Sequence, residues 1–328
     1  MMLSSLRITN REDALRAVRL HGRNIMKIPK RLVSEELCLA AVQGHGLNLA
    51  FVPQPLRTRR ICEAAIAHTG QALQFVPGNI ADYALCHRAV ARDGLALRFV
   101  PGEYQDWNMA VTAVEADGRA LKYVPALLRD FELCRLAARN GASVEQVPLP
   151  LRNREIWHAC LYRGTVHLRD VPLQLRDREL CYTAVSRDGS SIREVPPSRL
   201  SPEICRRAVQ TSGAALIHVP EPWRTRDICL AAVSSFAWAY RFVPRALQQD
   251  RDICLAAVRE RGELLHEIPV PARSREVCLK ALSARHGADS AWAAVPEPVR
   301  AQLRQAQAQQ TQRTRPALMP VCAEPSPA

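Results

Sequence analysis

The stretch DYALCHRAVARDGLALRFVP, from Asp82 to Pro101, contains one structural unit of this chain. Asp82 is of a residue type that caps helices, because its carboxylate accepts from the free N–H groups of the first turn. Two apolar pairs, at 85–86 and 89–90, lie four residues apart and therefore on one helix face. Gly94 stands where a helix commonly ends in the left-handed conformation. The stretch thus predicts a helix of about three turns.

Between Gly94 and Pro101 lie six residues whose apolar anchors, Leu97 and Val100, are three apart. This spacing disfavours an alternating β-strand and fits a single helical turn. The predicted unit is therefore one α-helix, one short helical turn and a proline corner.

A Val-Pro or Ile-Pro step recurs along most of the chain at intervals of 23 to 27 residues, most often 24. Such regularity is the signature of a repeat architecture. The prolines are Pro29, Pro53, Pro77, Pro101, Pro125, Pro148, Pro172, Pro196, Pro220, Pro244, Pro269 and Pro296.

Cap and glycine positions follow the same period, with one extra residue before Asp250. Together they predict twelve helices. The cap residues are Asn10, Ser34, Thr58, Asp82, Asp106, Asp130, Asn153, Asp177, Ser201, Thr225, Asp250 and Ser274. The glycines at the predicted helix ends are Gly22, Gly46, Gly70, Gly94, Gly118, Gly141, Gly189, Gly213 and Gly262.

The fold that these patterns predict is an all-α solenoid of about twelve 24-residue units, with its handedness left open. No unit of this size can bury its apolar face alone, so neighbours must stack into a rod or arc about 100 Å long. We expect an N-terminal cap segment at 1–9, the helical repeats at 10–299, and a frayed helix passing into a disordered tail at 300–328.

Two strings within the repeats carry a family resemblance: RDICLAAV at 226–233 and DGLALRFVP at 93–101. They resemble the helix and the turn of the domain of unknown function 4116 repeat, and the resemblance covers nearly all of residues 34–283. It implies a bacterial origin, leaves open a secreted effector and carries no known active site. The chain departs from the pattern where Trp157 takes a cysteine position and where Ala237 replaces a glycine.

The eleven cysteines raise the question of disulfides or metal ligands. Nine occupy one helix position, and equivalent positions in stacked units lie roughly 8–10 Å apart, beyond the ~7 Å limit for a disulfide. No Cys-x-x-Cys pair occurs, so we predict small buried core thiols. The nine are Cys38, Cys62, Cys86, Cys134, Cys181, Cys205, Cys229, Cys254 and Cys278.

Motifs of catalysis are missing from the sequence: it has no Gly-x-Ser-x-Gly, no phosphate-binding glycine loop and no His-Glu-x-x-His. The nine histidines fall at differing repeat positions. In a solenoid each unit contacts only its neighbours, which disfavours a triad of distant residues. We therefore predict no enzyme and no catalytic, cofactor or metal site.

Aromatic residues recur two positions before the proline in four consecutive units, at Phe51, Phe75, Phe99 and Tyr123. Later units carry charged residues at this position, which indicates partial exposure. We call these four residues the aromatic row and interpret them as anchors for a protein partner. The alternative is that each ring packs on the turn of the next unit.

Arginines recur in pairs at the proline corners. One hypothesis is that they bind a phosphate backbone or another anion. The other, which we favour, is local pairing, since the first of each pair lies three residues before an acid, as Arg224 does before Asp227. The candidate anion-binding residues are Arg152, Arg154, Arg176, Arg178, Arg224 and Arg226.

A non-catalytic protein–protein interaction scaffold is the function that these features favour. The alternative is a nucleic-acid-binding repeat protein, although the net charge of +13 forms no continuous basic stripe. No apolar run is long enough to span a membrane and no signal peptide is evident. We expect a cytoplasmic protein, with export as an effector by another route left open.

Overall fold

The structure, a computed structural model, describes residue 8 and residues 10–314, with side chains up to residue 306. The predicted segment 1–9, apart from Ile8, and the part of the predicted tail after residue 314 lie outside the described residues. Helices follow one another in regular succession, which confirms the all-α repeat solenoid. Within the described range, β-pairing is limited to one isolated bridge between Arg261 and His286.

The chain divides into two compact units, Met1–Thr183 and Ala184–Ala328. The first contains α1 Arg11–Leu20, α2 Glu35–Gly44, α3 Arg59–His68, α4 Tyr83–Arg92, α5 Trp107–Ala116, α6 Phe131–Arg139 and α7 Arg154–Arg163. The boundary falls within α8 Arg178–Arg187. The second contains α9 Pro202–Thr211, α10 Arg226–Ser235, α11 Arg251–Glu260, α12 Arg275–Leu282, α13 Ala288–Ala294 and α14 Glu297–Thr314.

Helices α1–α12 each begin one residue after a predicted cap. At α4 the carboxylate of Asp82 accepts the N–H of Leu85 at 2.9 Å, which satisfies a donor that has no partner within the helix. Thr58 and Thr225 hold the cap position without a side-chain hydrogen bond, and the structure shows no reason for it.

A 3₁₀ helix follows most α-helices, typically with six residues, so it is longer than the single turn that the sequence predicts. These first 3₁₀ helices are Gly22–Lys27, Gly46–Phe51, Gly70–Phe75, Gly94–Phe99, Gly118–Tyr123, Val144–Gln146, Leu168–Asp170, Gly189–Glu194, Gly213–His218, Ala237–Phe242 and Gly262–His266.

After the proline, most repeats form a second 3₁₀ helix of three residues, where the sequence analysis predicts only a corner. Its third residue donates its N–H to the carbonyl of the proline, as Tyr104 does to Pro101 at 3.0 Å. These second 3₁₀ helices are Lys30–Leu32, Gln54–Leu56, Gly102–Tyr104, Ala126–Leu128, Leu149–Leu151, Leu173–Leu175, Pro197–Arg199, Glu221–Trp223, Arg245–Leu247 and Val270–Ala272.

Packing within each unit joins consecutive repeats in two layers. In the first unit α1–α7 contact one another in order, and the first 3₁₀ helices do so beside them. In the second unit α9–α13 are likewise in sequential contact. The apolar pairs of α4, 85–86 and 89–90, are fully buried between neighbours. Burial of each large apolar side chain contributes about 1.5–3 kcal/mol. A single repeat cannot bury these side chains alone, because a neighbouring repeat must cover them.

The repeated glycines do not adopt the left-handed conformation that the sequence analysis predicts. Among the described glycines only Gly141, Gly164 and Gly287 have positive φ, and of these only Gly141 belongs to the predicted set. The others begin a 3₁₀ helix close to the next repeat: a Cβ at Gly94 would overlap the carbonyl oxygen of Ala113 in α5. The same overlap with an alanine carbonyl 19 residues on occurs at Gly22, Gly46, Gly70, Gly118, Gly189, Gly213 and Gly262.

The repeat around α7 departs from the pattern, as the sequence indicates. Trp157 is buried in the cysteine position, and α7 ends at Gly164 in the left-handed conformation, with φ 76°. The indole N–H of Trp157 and Oε1 of Gln146 are buried without hydrogen-bond partners. At the other departure, Ala237 begins its 3₁₀ helix as glycine does elsewhere.

Replacement of Gly94 by alanine tests the close approach between repeats. We expect Gly94→Ala to lower the free energy of unfolding by about 1–3 kcal/mol, because the added methyl group forces α5 away. Gly102→Ala is the matched control, since its Cβ would meet no atom within 4 Å. Urea denaturation followed by circular dichroism measures both, and equal midpoints for the two variants would contradict the prediction.

Candidate functional site

The first arginine of each corner pair binds backbone carbonyls. Its Nε donates to the carbonyl five residues earlier, as Arg152 does to Val147 at 2.8 Å and Arg176 to Val171 at 2.9 Å. These carbonyls lie at the ends of 3₁₀ helices, where intrahelical donors run out. Residues with this contact are Arg57, Arg129, Arg152, Arg176, Arg224 and Arg273.

Some of these guanidinium groups also reach the next repeat. Arg224 donates to the carbonyls of Val219 and Phe242 at 2.8 Å and to that of Ile217 at 3.3 Å. The predicted pairing of Arg224 with Asp227 is therefore wrong: the guanidinium satisfies three backbone acceptors instead. Gln105 takes the same position and donates to Val100 at 2.8 Å.

The second arginine of a pair forms ion pairs with the following repeat. Arg226 bridges Asp250, at 2.8 Å, and Asp252. Arg154 bridges Asp177 and Glu179 in the same way. Hydrogen bonds from Arg226 lower the pKa of Asp250 below its usual range.

Because the side chains of Arg226 and Asp252 are exposed and that of Asp250 is partly exposed, each such pair contributes little to stability. The pairs nevertheless occupy the guanidinium groups that the anion-binding hypothesis requires. Carbonyls engage Arg152, Arg176 and Arg224, and carboxylates engage Arg154 and Arg226. Arg178, the remaining candidate, is not without a partner either.

The aromatic row is half-buried in all four repeats. Cations lie over three of the rings: Arg23 over Phe51 at 5.4 Å, Arg98 over Phe99 at 4.3 Å and Lys122 over Tyr123 at 4.8 Å. Lys122 and Arg98 lower the pKa of the Tyr123 hydroxyl. Three of the four rings thus have a basic group over one face, and binding of a partner to the row stays a prediction.

The ten cysteines that the structure describes are buried free thiols, as predicted. The structure adds a reason for cysteine at this position: the thiol lies near the corner carbonyl, with Sγ of Cys229 3.4 Å from the carbonyl oxygen of Arg224. A thiol is small and apolar, and it also donates a weak hydrogen bond. Burial raises the pKa of Cys86 and of Cys205 to about 11.

The first three repeats form a groove of about 640 Å³. We call it the N-terminal groove and define it by Arg19, Leu20, His21, Arg23, Phe51 and Phe75. It brings two residues of the aromatic row together with two arginines that the sequence analysis does not single out. The sequence gives little indication of these two arginines, because only the stacking of repeats places α1 beside residues of the following repeats.

Three leucines on the second 3₁₀ helices of consecutive repeats are among the most exposed large apolar side chains of the first unit. Leu127 is 99% exposed, Leu149 74% and Leu173 62%. We call them the leucine row. The sequence analysis misses them because it treats the residues after each proline as a corner without a structure of its own.

A family model described as Domain of unknown function (DUF4116) matches residues 225–270. These residues run from the cap of α10 past the proline after α11, and they include the string at 226–233 quoted above. No curated protein and no solved structure matches the chain.

Outside this segment most described repeats have the same succession of one α-helix and two 3₁₀ helices as the repeats of α10 and α11. Across the described residues, no group of three or more His, Cys, Asp or Glu side chains could hold a metal ion. None of the described helices is both long enough and apolar enough for a membrane span.

Substitutions at Arg224 separate a structural arginine from a surface one. We expect Arg224→Ala to cost about 2 kcal/mol of unfolding free energy, because three carbonyls, two of them in part-buried hydrogen bonds, lose a charged donor. Arg224→Gln should restore part of this, as glutamine does at position 105. Chemical denaturation is the measurement. Arg226→Ala is the control and should change stability little; a loss as large as that of Arg224→Ala would contradict this assignment.

Thiol reactivity tests the burial of the cysteines. A thiol with a pKa of about 11 is about 0.1% ionised at pH 8, and only the thiolate reacts quickly. We expect slow labelling by a disulfide reagent in the native protein and rapid labelling after addition of denaturant. The assay uses Cys322→Ser, because Cys322 lies outside the described residues. Fast native labelling of several thiols would show that the repeats do not stack as described.

Proposed function

We propose that the chain is a non-catalytic protein-binding scaffold in which stacked repeats present an exposed surface to a partner protein. The observation that carries the proposal is the leucine row. Apolar side chains elsewhere in these repeats are mostly buried, whereas Leu127, Leu149 and Leu173 extend into solvent. Exposed apolar side chains on consecutive repeats favour a protein contact surface when they form one patch.

Nucleic-acid binding is the alternative, and the net charge of +13 favours it. The contacts of the corner arginines weigh against it, since their donors are engaged by carbonyls and carboxylates. In the aromatic row a cation already lies over Phe51, Phe99 and Tyr123, so a base that stacks on the same face of these rings would have to displace a charged side chain. A protein partner is therefore the better-supported proposal.

The resemblance to DUF4116 repeats supports a further part of the proposal: a bacterial protein that acts in the cytoplasm or is exported as an effector. Cell fractionation and assay of the culture medium distinguish the two sites of action. The scaffold proposal itself holds in either compartment.

Replacement of the leucine row tests the scaffold. Purified chain is immobilised and incubated with a lysate of its native cells, and bound proteins are identified by mass spectrometry. The variant Leu127→Gln, Leu149→Gln, Leu173→Gln should retain its fold, since exposed residues are changed, but should weaken binding at least about tenfold. Each leucine buried at an interface contributes about 1.5–3 kcal/mol, and about 1.4 kcal/mol corresponds to tenfold.

The control carries Ile217→Gln and Leu279→Gln, two exposed apolar residues of the other unit. It should bind the same partners as the unchanged chain. Nuclease treatment of the lysate removes bridging nucleic acid. Identical binding by the leucine-row variant, or binding that disappears with nuclease, would contradict the proposal.

A further inference from the structure

The N-terminal groove is basic and has no acidic residue among the described side chains that line it. Arg19 and Arg23 form no ion pair with any described residue, in contrast to the corner arginines. His21 and His45 also line the groove, and both are exposed. The N–H of Leu47 donates to Nδ1 of His45 at 3.2 Å, so Nε2 carries the hydrogen of the neutral ring and can donate to an anion.

A comparison with a later repeat shows why this charge is uncompensated. Arg119 follows its repeat glycine as Arg23 follows Gly22, and Arg119 pairs with Asp117 at 2.7 Å. The position of Asp117 is held by His21 in the first repeat. The carboxylate that neutralises Arg119 is therefore missing beside Arg23, whose guanidinium lies over Phe51 instead.

The groove also has apolar walls. Phe51 and Phe75 line it together with Leu20, which is 56% exposed. Its volume of about 640 Å³ admits a few side chains rather than a folded domain. Because Arg23 covers Phe51, the groove offers an outward guanidinium edge beside an apolar wall, which suits a carboxylate next to an apolar side chain.

We propose that the N-terminal groove binds an acidic peptide segment of a partner protein. Its carboxylates pair with Arg19 and Arg23, and an apolar side chain packs against Leu20 and Phe75. This site is separate from the leucine row, so an experiment can contradict either binding proposal without contradicting the other. The charge complementarity, the small volume and the covered ring favour a peptide over a nucleic acid.

Fluorescence anisotropy with the full chain tests the proposal. The probe is a fluorescein-labelled, glutamate-rich dodecapeptide with a single central phenylalanine. We expect saturable binding with a Kd on the order of 10 μM at low salt, weakening as salt rises. Replacing all glutamates of the probe by glutamine, or its phenylalanine by alanine, should each weaken binding at least about fivefold.

The decisive variant is His21→Asp, which introduces the carboxylate found at this position in later repeats. Because Asp117 caps its 3₁₀ helix by accepting the N–H of Arg119 at 2.9 Å, the substitution suits the fold. The new carboxylate should pair with Arg23 and weaken peptide binding at least about tenfold. Ser212→Asp is the matched control at the same repeat position of the other unit, and it should bind the probe normally.

Arg23→Gln provides a second variant without a new charge and should weaken binding to a similar extent. Circular dichroism and urea midpoints confirm that each variant is folded. The proposal is overturned if the probe does not bind below about 1 mM, if the glutamine probe binds equally well, or if Ser212→Asp weakens binding as much as His21→Asp. A single-stranded oligonucleotide that binds more tightly than the peptide and is lost with His21→Asp would also overturn it.

Discussion

The close approach between the glycine that begins most of the longer 3₁₀ helices and an alanine carbonyl in the next α-helix sets the geometry of the repeats. At Gly94 there is no room for a side-chain carbon beneath Ala113. The distance between neighbouring repeats is therefore limited by backbone contact rather than by side-chain size. Because no repeat can bury its apolar pairs alone, this contact and the core form together.

Close contact between repeats leaves carbonyls at the ends of the 3₁₀ helices that need donors. The corner arginines supply them, and one guanidinium can serve carbonyls of two repeats, as Arg224 does. The buried thiols donate weak hydrogen bonds to carbonyl oxygens at the corner, as Cys229 does to Arg224. Residues that look like anion ligands or metal ligands in the sequence thus act mainly as donors that complete the backbone hydrogen bonding.

What remains for recognition is the surface that these contacts do not use. Exposed leucines on the second 3₁₀ helices and the uncompensated arginines of the N-terminal groove are of this kind. They differ in chemistry, one apolar and one basic, and both are small. A scaffold that presents separate small sites along its repeats is consistent with a framework in which each repeat contacts only its neighbours.

Helix positions, the repeat length and the burial of the cysteines follow from local patterns, because capping and apolar periodicity act over a few residues. The role of Gly94, the partners of Arg224 and the exposure of Leu127 do not, since each depends on how residues of the surrounding structure are packed. A single sequence does not distinguish an arginine that binds a carbonyl from one that binds a phosphate. The glycine likewise fits either a positive φ or a close approach, and stacking alone distinguishes these cases.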